Sequence, residues 1–149
     1  VNPHLSGLPP FLVESSGLNS GFMIAQYTAA SLVSENKVFA HPSSVDSIPT
    51  SAGQEDHVSM GTTSARHARM ILHNVQHVLA IELLCAAQGM DFCGEAPAAG
   101  TKAAHDLIRQ HVSHLEHDRL LYPDIEESHL LLSSGQIVHA VEKAIGPLD

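Results

Sequence analysis

Apolar side chains along this chain recur at helical intervals, and no stretch alternates apolar and polar residues for long enough to make a strand. Five segments carry the helical pattern. The first, 18–40, opens at Leu18 with Asn19 or Ser20 able to cap it. Its apolar positions Phe22, Ile24, Ala25, Ala29, Leu32, Val33 and Phe39 cover more than one stripe, which implies contact with several neighbours. The second, 58–88, has no Pro, and its only Gly is Gly61. At ~1.5 Å per residue it extends roughly 45 Å, longer than a compact domain of this size is wide. Its first half carries Arg66, His67, Arg69 and His73. Its second half, Val78 to Ala87, is apolar nearly all round with Glu82 alone interrupting. A helix apolar on all sides is buried on all sides, which places this half inside a larger assembly.

Three further helices follow. Segment 101–121 is amphipathic, with Ala104, Leu107, Ile108, Val112, Leu115 and Leu120 against His105, Arg109, Gln110, His114, His117 and Asp118. Pro123 breaks it. Segment 125–134 is closed by Gly135, and 136–145 ends at Gly146-Pro147. Gly89 reads as the C-cap of the long helix. Residues 1–16 read as a loop, because Pro3, Pro9, Pro10 and Gly7 interrupt any regular run, although Phe11, Leu12 and Val13 can pin it to a surface. Residues 41–53 form a second loop, rich in Ser and punctuated by Pro42, Pro49 and Gly53. The fold class is all-α, read as one helical segment over 1–149. The uncharged span 15–34 is not a membrane helix, because Ser15, Ser16, Asn19, Ser20, Gln26, Thr28, Ser31 and Ser34 are too many polar groups to face lipid.

Composition refines this picture. Hydrophobic residues are 44% of the chain but aromatics only 4%, so the core is built from small and branched aliphatic side chains that suit close helix packing. The formal net charge of −9 argues against a nucleic-acid surface, which needs a basic patch. Cys85 and Cys93 make no disulfide framework, no secretory signal is visible, and a reducing cytoplasm is the default location. Both thiols read as buried. The chain opens Val-Asn-Pro without Met and reads as a piece of something longer or a trimmed chain.

Few side-chain groupings suggest chemistry. His73 and His77 stand four apart on the long helix, but the residue after the first is Asn74 rather than the Glu of a metalloprotease, so surface or interface histidines are expected. His111, His114 and His117, with Glu116, read as a solvated face rather than a metal grip. No metal site is expected. No phosphate loop or nucleophile elbow is present. The stretch Thr50 to Gly61, TSAGQEDHVSMG, is different. Glu55, Asp56 and His57 stand together before a long helix, where a carboxylate commonly serves as a cap or dipole partner. One carboxylate can do that while another acts as a base.

Three strings place the chain further. Residues 17–37, GLNSGFMIAQYTAASLVSENK, residues 41–61, HPSSVDSIPTSAGQEDHVSMG, and residues 78–92, VLAIELLCAAQGMDF, closely resemble the aromatic amino-acid ammonia-lyase family, and within it the members acting on histidine. The resemblance covers most of the chain, thins after Gly94, and corresponds to the C-terminal part of a much longer subunit. It implies a fumarase/aspartase-like bundle of long helices assembled as a homotetramer. It implies elimination of ammonia from L-histidine to give trans-urocanate. It also implies an electrophilic 4-methylidene-imidazol-5-one group made by cyclisation of an internal Ala-Ser-Gly.

Residue by residue, Glu55 falls on the glutamate of the family's Gln-Glu-Asp-His string, which faces the substrate, and is the expected catalytic and substrate-binding residue. Members acting on phenylalanine or tyrosine typically carry Gln there. A carboxylate suits histidine because it can hydrogen-bond the substrate imidazole, whereas a phenyl ring would leave it unpaired. Met23 falls on a Met lining the substrate pocket, where a soft thioether packs against a flat ring. Asp56 and His57 then read as structural support.

Two departures matter. Gly53 stands where the family usually has Asn, which gives the loop more backbone freedom. No Ala-Ser-Gly occurs in the 149 residues, only Ser-Ser-Gly at 15–17 and 133–135. The prosthetic group therefore has no precursor in this chain, and the chain alone is expected to be inactive. A phenylalanine or tyrosine lyase, an aminomutase of the same family, and a non-catalytic helical assembly module are the competing readings. Neither nucleic acid nor membrane is an expected partner.

Overall fold

The computed structural model describes residues 1–148, and among these there is no strand. Six α-helices follow in order: α1 Pro3–Ser6, α2 Met23–Phe39, α3 Gly61–Asp91, α4 Ala99–His111, α5 Tyr122–Ser133 and α6 Gln136–Ile145. Short 3₁₀ turns occur at Pro10–Leu12, Ser43–Val45 and Ser51–Gly53. The chain divides into two compact units where one segment is expected: Val1–Ala29 with Gln76–Asp149, and Ala30–Val75.

In the first unit a single apolar cluster collects Leu12, Phe22, Ala25, Ile81, Leu84, Ala87, Ile108, Val112 and Leu115. By length and composition α3 could cross a membrane, yet Ile81, Leu84 and Ala87 belong to this cluster, as in the core helix of a globular unit. Within the unit, α4 packs on α6. The approach is close because Gly100 has no side chain; a Cβ there would lie 3.2 Å from Ile145 Cδ1 and 3.4 Å from Val141 Cγ1. The expected burial of Val78 to Ala87 on all sides is only half met within the chain, where Leu79 remains 40% exposed.

Several element boundaries differ from the pattern-based reading, each for a local reason. The N-terminal stretch is not a plain loop. Pro3 opens α1, where its missing N–H costs nothing, Asn2 caps it by accepting from His4 N at 3.0 Å, and Gly7 closes it at φ 70°. Leu12 and Val13 are buried, so the expected pinning is present.

Helix α2 starts at Met23 rather than Leu18, because the preceding N–H groups are used elsewhere. Phe22 N donates to Phe11 O at 2.9 Å, and Ser20 N and Gly21 N donate to the Asp118 carboxylate at 2.8 and 2.9 Å. Helix α3 starts at Gly61 rather than 58, with Val58 N donating to Ser47 Oγ at 2.8 Å. It also runs through Gly89, which is not a C-cap. Gly89 is buried inside the helix, and its bare backbone admits Leu8, whose Cδ1 would stand 3.1 Å from a Cβ at that position.

The third expected helix, 101–121, stops at His111. Val112 turns to extended backbone at φ −125°, and side chains then take over the hydrogen bonds of the segment that follows. Gln88 serves Leu115 N and O, and the Arg119 guanidinium donates to Ser113 O and His114 O. Pro123 does not end a helix but sits in the first turn of α5, which begins at Tyr122. Cys85 is half-buried, and burial pushes its thiol up to about 11. Cys93 is exposed rather than buried, its Sγ 3.4 Å from Gly89 O.

Gly21 is the most constrained glycine of the first unit. It sits at φ 53°, and a Cβ would lie 2.5 Å from Phe11 O and 2.7 Å from Val13 Cγ1. Left-handed strain adds to a backbone clash, so Gly21→Ala is expected to destabilise the chain by about 2–4 kcal/mol. Urea denaturation followed by circular dichroism measures this; an unchanged midpoint would contradict the packing described.

Candidate functional site

The two residues singled out by sequence fall in different units. Met23, in the first unit, is the opening residue of α2 and is half-buried. It stands where it does because the turn before it is tied down. The Asp118 carboxylate accepts from Ser20 N and Gly21 N, Asp118 N donates to Asn19 Oδ1 at 3.3 Å, and Met23 N donates to Ser20 O at 3.1 Å. Asp118 is the positioning residue that the sequence pattern placed on a solvated face. Its two partners are 98 and 97 positions away in the chain, and no local signal reveals them.

Glu55, in the second unit, closes a tight turn with Thr50. Thr50 N donates to Glu55 O at 2.9 Å, and Glu55 N to Thr50 O at 3.3 Å. Between them the backbone runs left-handed at Ser51, Ala52 and Gly53, at φ 54°, 56° and 83°. A Gly at the third of these carries no strain, and Asn is the other residue that tolerates it. The side chain is tied to the same turn. Thr50 Oγ1 and Ser51 Oγ both donate to Glu55 Oε2, at 2.7 and 3.2 Å. Among the described residues nothing donates to Oε1. Glu55, Asp56 and His57 are all exposed within the chain. Two hollows of the second unit, about 180 and 440 Å³, are lined by Phe39, His41 and His67 and by Arg66, Arg69 and His73 respectively, and Glu55 lines neither.

A second polar centre lies in the first unit. Asp91, the last residue of α3, receives His105 Nε2 and His114 Nδ1 at 2.7 Å each, and Arg109 through Nη2 at 2.7 Å and Nε at 3.0 Å. Burial pushes its carboxyl up, but the bonds from His114, Arg109 and His105 together outweigh this and hold it below the usual 3.8. His111 turns to a different carboxylate, Glu127, at 2.7 Å. The His111, His114 and His117 series therefore does not converge on one point. The Arg109 charge on Asp91 makes that cluster a structural clasp rather than a cation site.

The Ser-Ser-Gly strings are a turn with Ser15 at φ 54° and the end of α5 with Gly135 at φ 76°. Neither supplies the Ala-Ser-Gly that the implied prosthetic group requires.

The aromatic amino acid lyase family matches residues 1–110, and the chain belongs to that family. It is 62% identical to the histidine ammonia-lyase of Symbiobacterium thermophilum over 150 aligned residues, covering 100% of this chain and 30% of the relative. It is likewise 62% identical to that of Alkaliphilus oremlandii, covering 97% of the chain and 29% of the relative. Among solved structures, histidine ammonia-lyase from Trypanosoma cruzi aligns at a TM-score of 0.90 with 50% identity, over 97% of this chain and 29% of that one. Tyrosine aminomutase from Streptomyces globisporus aligns at 0.89 with 42% identity, over 96% and 28%. The chain thus spans about 30% of the length of the curated relatives it matches.

The Asp118 clamp gives a pH signature. The backbone N–H groups of Ser20 and Gly21 hold its carboxyl below the usual 3.8. A lowered folded value means the stabilisation is complete above that pH and is lost as the pH falls through the lower folded value. Asp118→Asn is therefore expected to lower the urea midpoint at neutral pH, with the gap to the native chain closing below about pH 4. A gap that stays constant down to pH 2 would contradict the clamp.

Proposed function

We propose that this chain is the C-terminal portion of a histidine ammonia-lyase, and that Glu55 is its contribution to the reacting site. The observation carrying the proposal is the state of the Glu55 carboxylate. One oxygen is fixed by two hydroxyls of its own turn and the other receives no donor among the described residues. A carboxylate held in this way can accept a ring N–H from L-histidine and orient the imidazole. It can also take a proton at its open oxygen, since a general base needs only one oxygen within reach. Met23 supplies a polarizable surface for the substrate ring. The electrophilic group that activates the amine for departure would come from an Ala-Ser-Gly elsewhere in the parent subunit. In this reading the parent is a soluble cytoplasmic homotetramer, and the apolar faces left open here, such as Leu72 at 59% and Leu79 at 40% exposure, meet neighbouring helices.

Similarity to tyrosine aminomutase keeps a second substrate class in view, and Glu55 discriminates between them. In the full-length enzyme carrying this segment, Glu55→Gln is expected to lower kcat/KM for L-histidine by about 10- to 100-fold, the scale of one hydrogen bond to a charged group. Urocanate absorbance reports the rate. An unchanged rate with histidine would sink the assignment.

The 149-residue chain by itself is expected to give no urocanate from L-histidine. Turnover near the rate of an intact enzyme would contradict the reading that the reactive group lies elsewhere.

A further inference from the structure

The first unit holds one more grouping of ligand-type side chains, away from Glu55 and Met23. His77 projects from α3, while Glu126 and His129 stand three apart on α5 and so share one helix face. His77 Nε2 lies 3.2 Å from Glu126 Oε1. The two imidazoles stack, with ring centroids 4.2 Å apart and planes 21° from parallel, and a ring nitrogen of each lies within 4.8 Å of the other. The His77 side chain is only 15% exposed, with Glu126 at 39%.

We propose that His77, His129 and Glu126 form a binding site for one divalent transition-metal ion of the zinc class. Two imidazole nitrogens and a carboxylate oxygen are the donors such borderline ions take, with water completing four-coordination. The spacing is already close to what coordination needs. Bonds of ~2.0–2.1 Å at tetrahedral angles put neighbouring donor atoms roughly 3.3–3.4 Å apart, and the His77–Glu126 pair stands at 3.2 Å. The His77 and His129 nitrogens must draw together, which a turn of each ring about χ2 achieves at small cost because that torsion is broad.

One outer partner is also in place. His129 Nε2 lies 3.4 Å from Gln76 Oε1, an atom that can only accept. With the proton on Nε2 this contact is a hydrogen bond of the kind by which outer-shell groups orient ligating histidines. The Asp91 clasp lacks this capacity, since Arg109 occupies its carboxylate at 2.7 Å. Without metal, His77 Nε2–H donates to Glu126. Metal binding at Nε2 moves that proton to Nδ1 of the same ring, so the neutral imidazole takes up the ion by changing tautomer, with no net proton release.

The 149-residue chain, stripped with chelator and titrated with Co²⁺ and then Zn²⁺, tests this. The expected result is one tight site per chain with visible ligand-field absorption from Co²⁺, displaced by Zn²⁺. His129→Ala and Glu126→Gln should each weaken binding at least about tenfold, since even outer-shell partners are worth 10- to 100-fold. His117→Ala, at an exposed histidine outside the group, should leave it unchanged. Circular dichroism of each variant separates loss of a ligand from loss of fold, and Glu126→Gln preserves side-chain shape. Equal Co²⁺ affinity in native chain, His129→Ala and Glu126→Gln would overturn the site, as would binding lost equally in His117→Ala.

Discussion

The first unit depends on one buried amide. Gln88 sits in an otherwise apolar stretch of α3 and is fully buried. Its Nε2 donates to Leu12 O and Leu115 O at 3.0 Å each, and its Oε1 accepts from Leu115 N at 3.1 Å and Arg109 Nη2 at 3.2 Å. Every bonding position of the amide is used, which is the condition for burying it without loss. Two stretches far from it in sequence, at Leu12 and at 109–115, are thereby referred to one residue of a rigid helix. An apolar side chain of similar size would fill the space but would strand Leu115 N and O and Leu12 O in a dry interior, at about 1–3 kcal/mol for each group left unpaired.

From this amide the positioning passes outward in short steps. Leu115 held at both backbone atoms fixes the extended segment in which Asp118 lies three residues on. Asp118 then holds the N–H groups of Ser20 and Gly21, and the first turn of α2, with Met23 at its head, follows. Leu12, the other end of the amide's reach, anchors the stretch whose Phe11 O receives Phe22 N. The start of α2 is thus gripped from two sides. At the C-terminal end of α3, Asp91 repeats the device with charge, gathering His105, Arg109 and His114. A helix end is a favourable place for cations, and here they also tie α4 and the segment after it to the helix.

How much of this was legible follows from where each partner lies in the chain. The all-α class was plain, because periodic apolar residues are a local signal. The family was legible through the strings around Glu55 and Met23. Gln88 was not, since a lone amide in an apolar run gives no sign of its long-range partners Leu12, Arg109, His114 and Leu115. Asp118 was invisible for the same reason. The end of α4 at His111 was hidden because Val112 and Leu115 continue the apolar period. Helical pattern and buried extended backbone bury the same residues here, and only the Gln88 and Arg119 bonds decide between them. Pro3 and Pro123 misled in the opposite direction: both were read as breakers, and both sit in a first turn, where proline's missing N–H is harmless.

In the Glu55 turn one set of residues fixes both the backbone and a carboxylate. Thr50, Ser51, Ala52 and Gly53 in a row read as a flexible loop. In the structure they form a strained one, with Ser51 and Ala52 both left-handed at about 1–3 kcal/mol each. The strain is offset by the backbone pair between Thr50 and Glu55 and by two hydroxyls bound to one carboxylate oxygen. Those hydroxyls can reach Oε2 only because the left-handed run folds Thr50 and Ser51 back over Glu55. A relaxed loop would release the carboxylate to rotate freely in water, whereas this one leaves a single open oxygen at a fixed point on the turn. The backbone conformation that the sequence makes look permissive is therefore what gives the acid its direction.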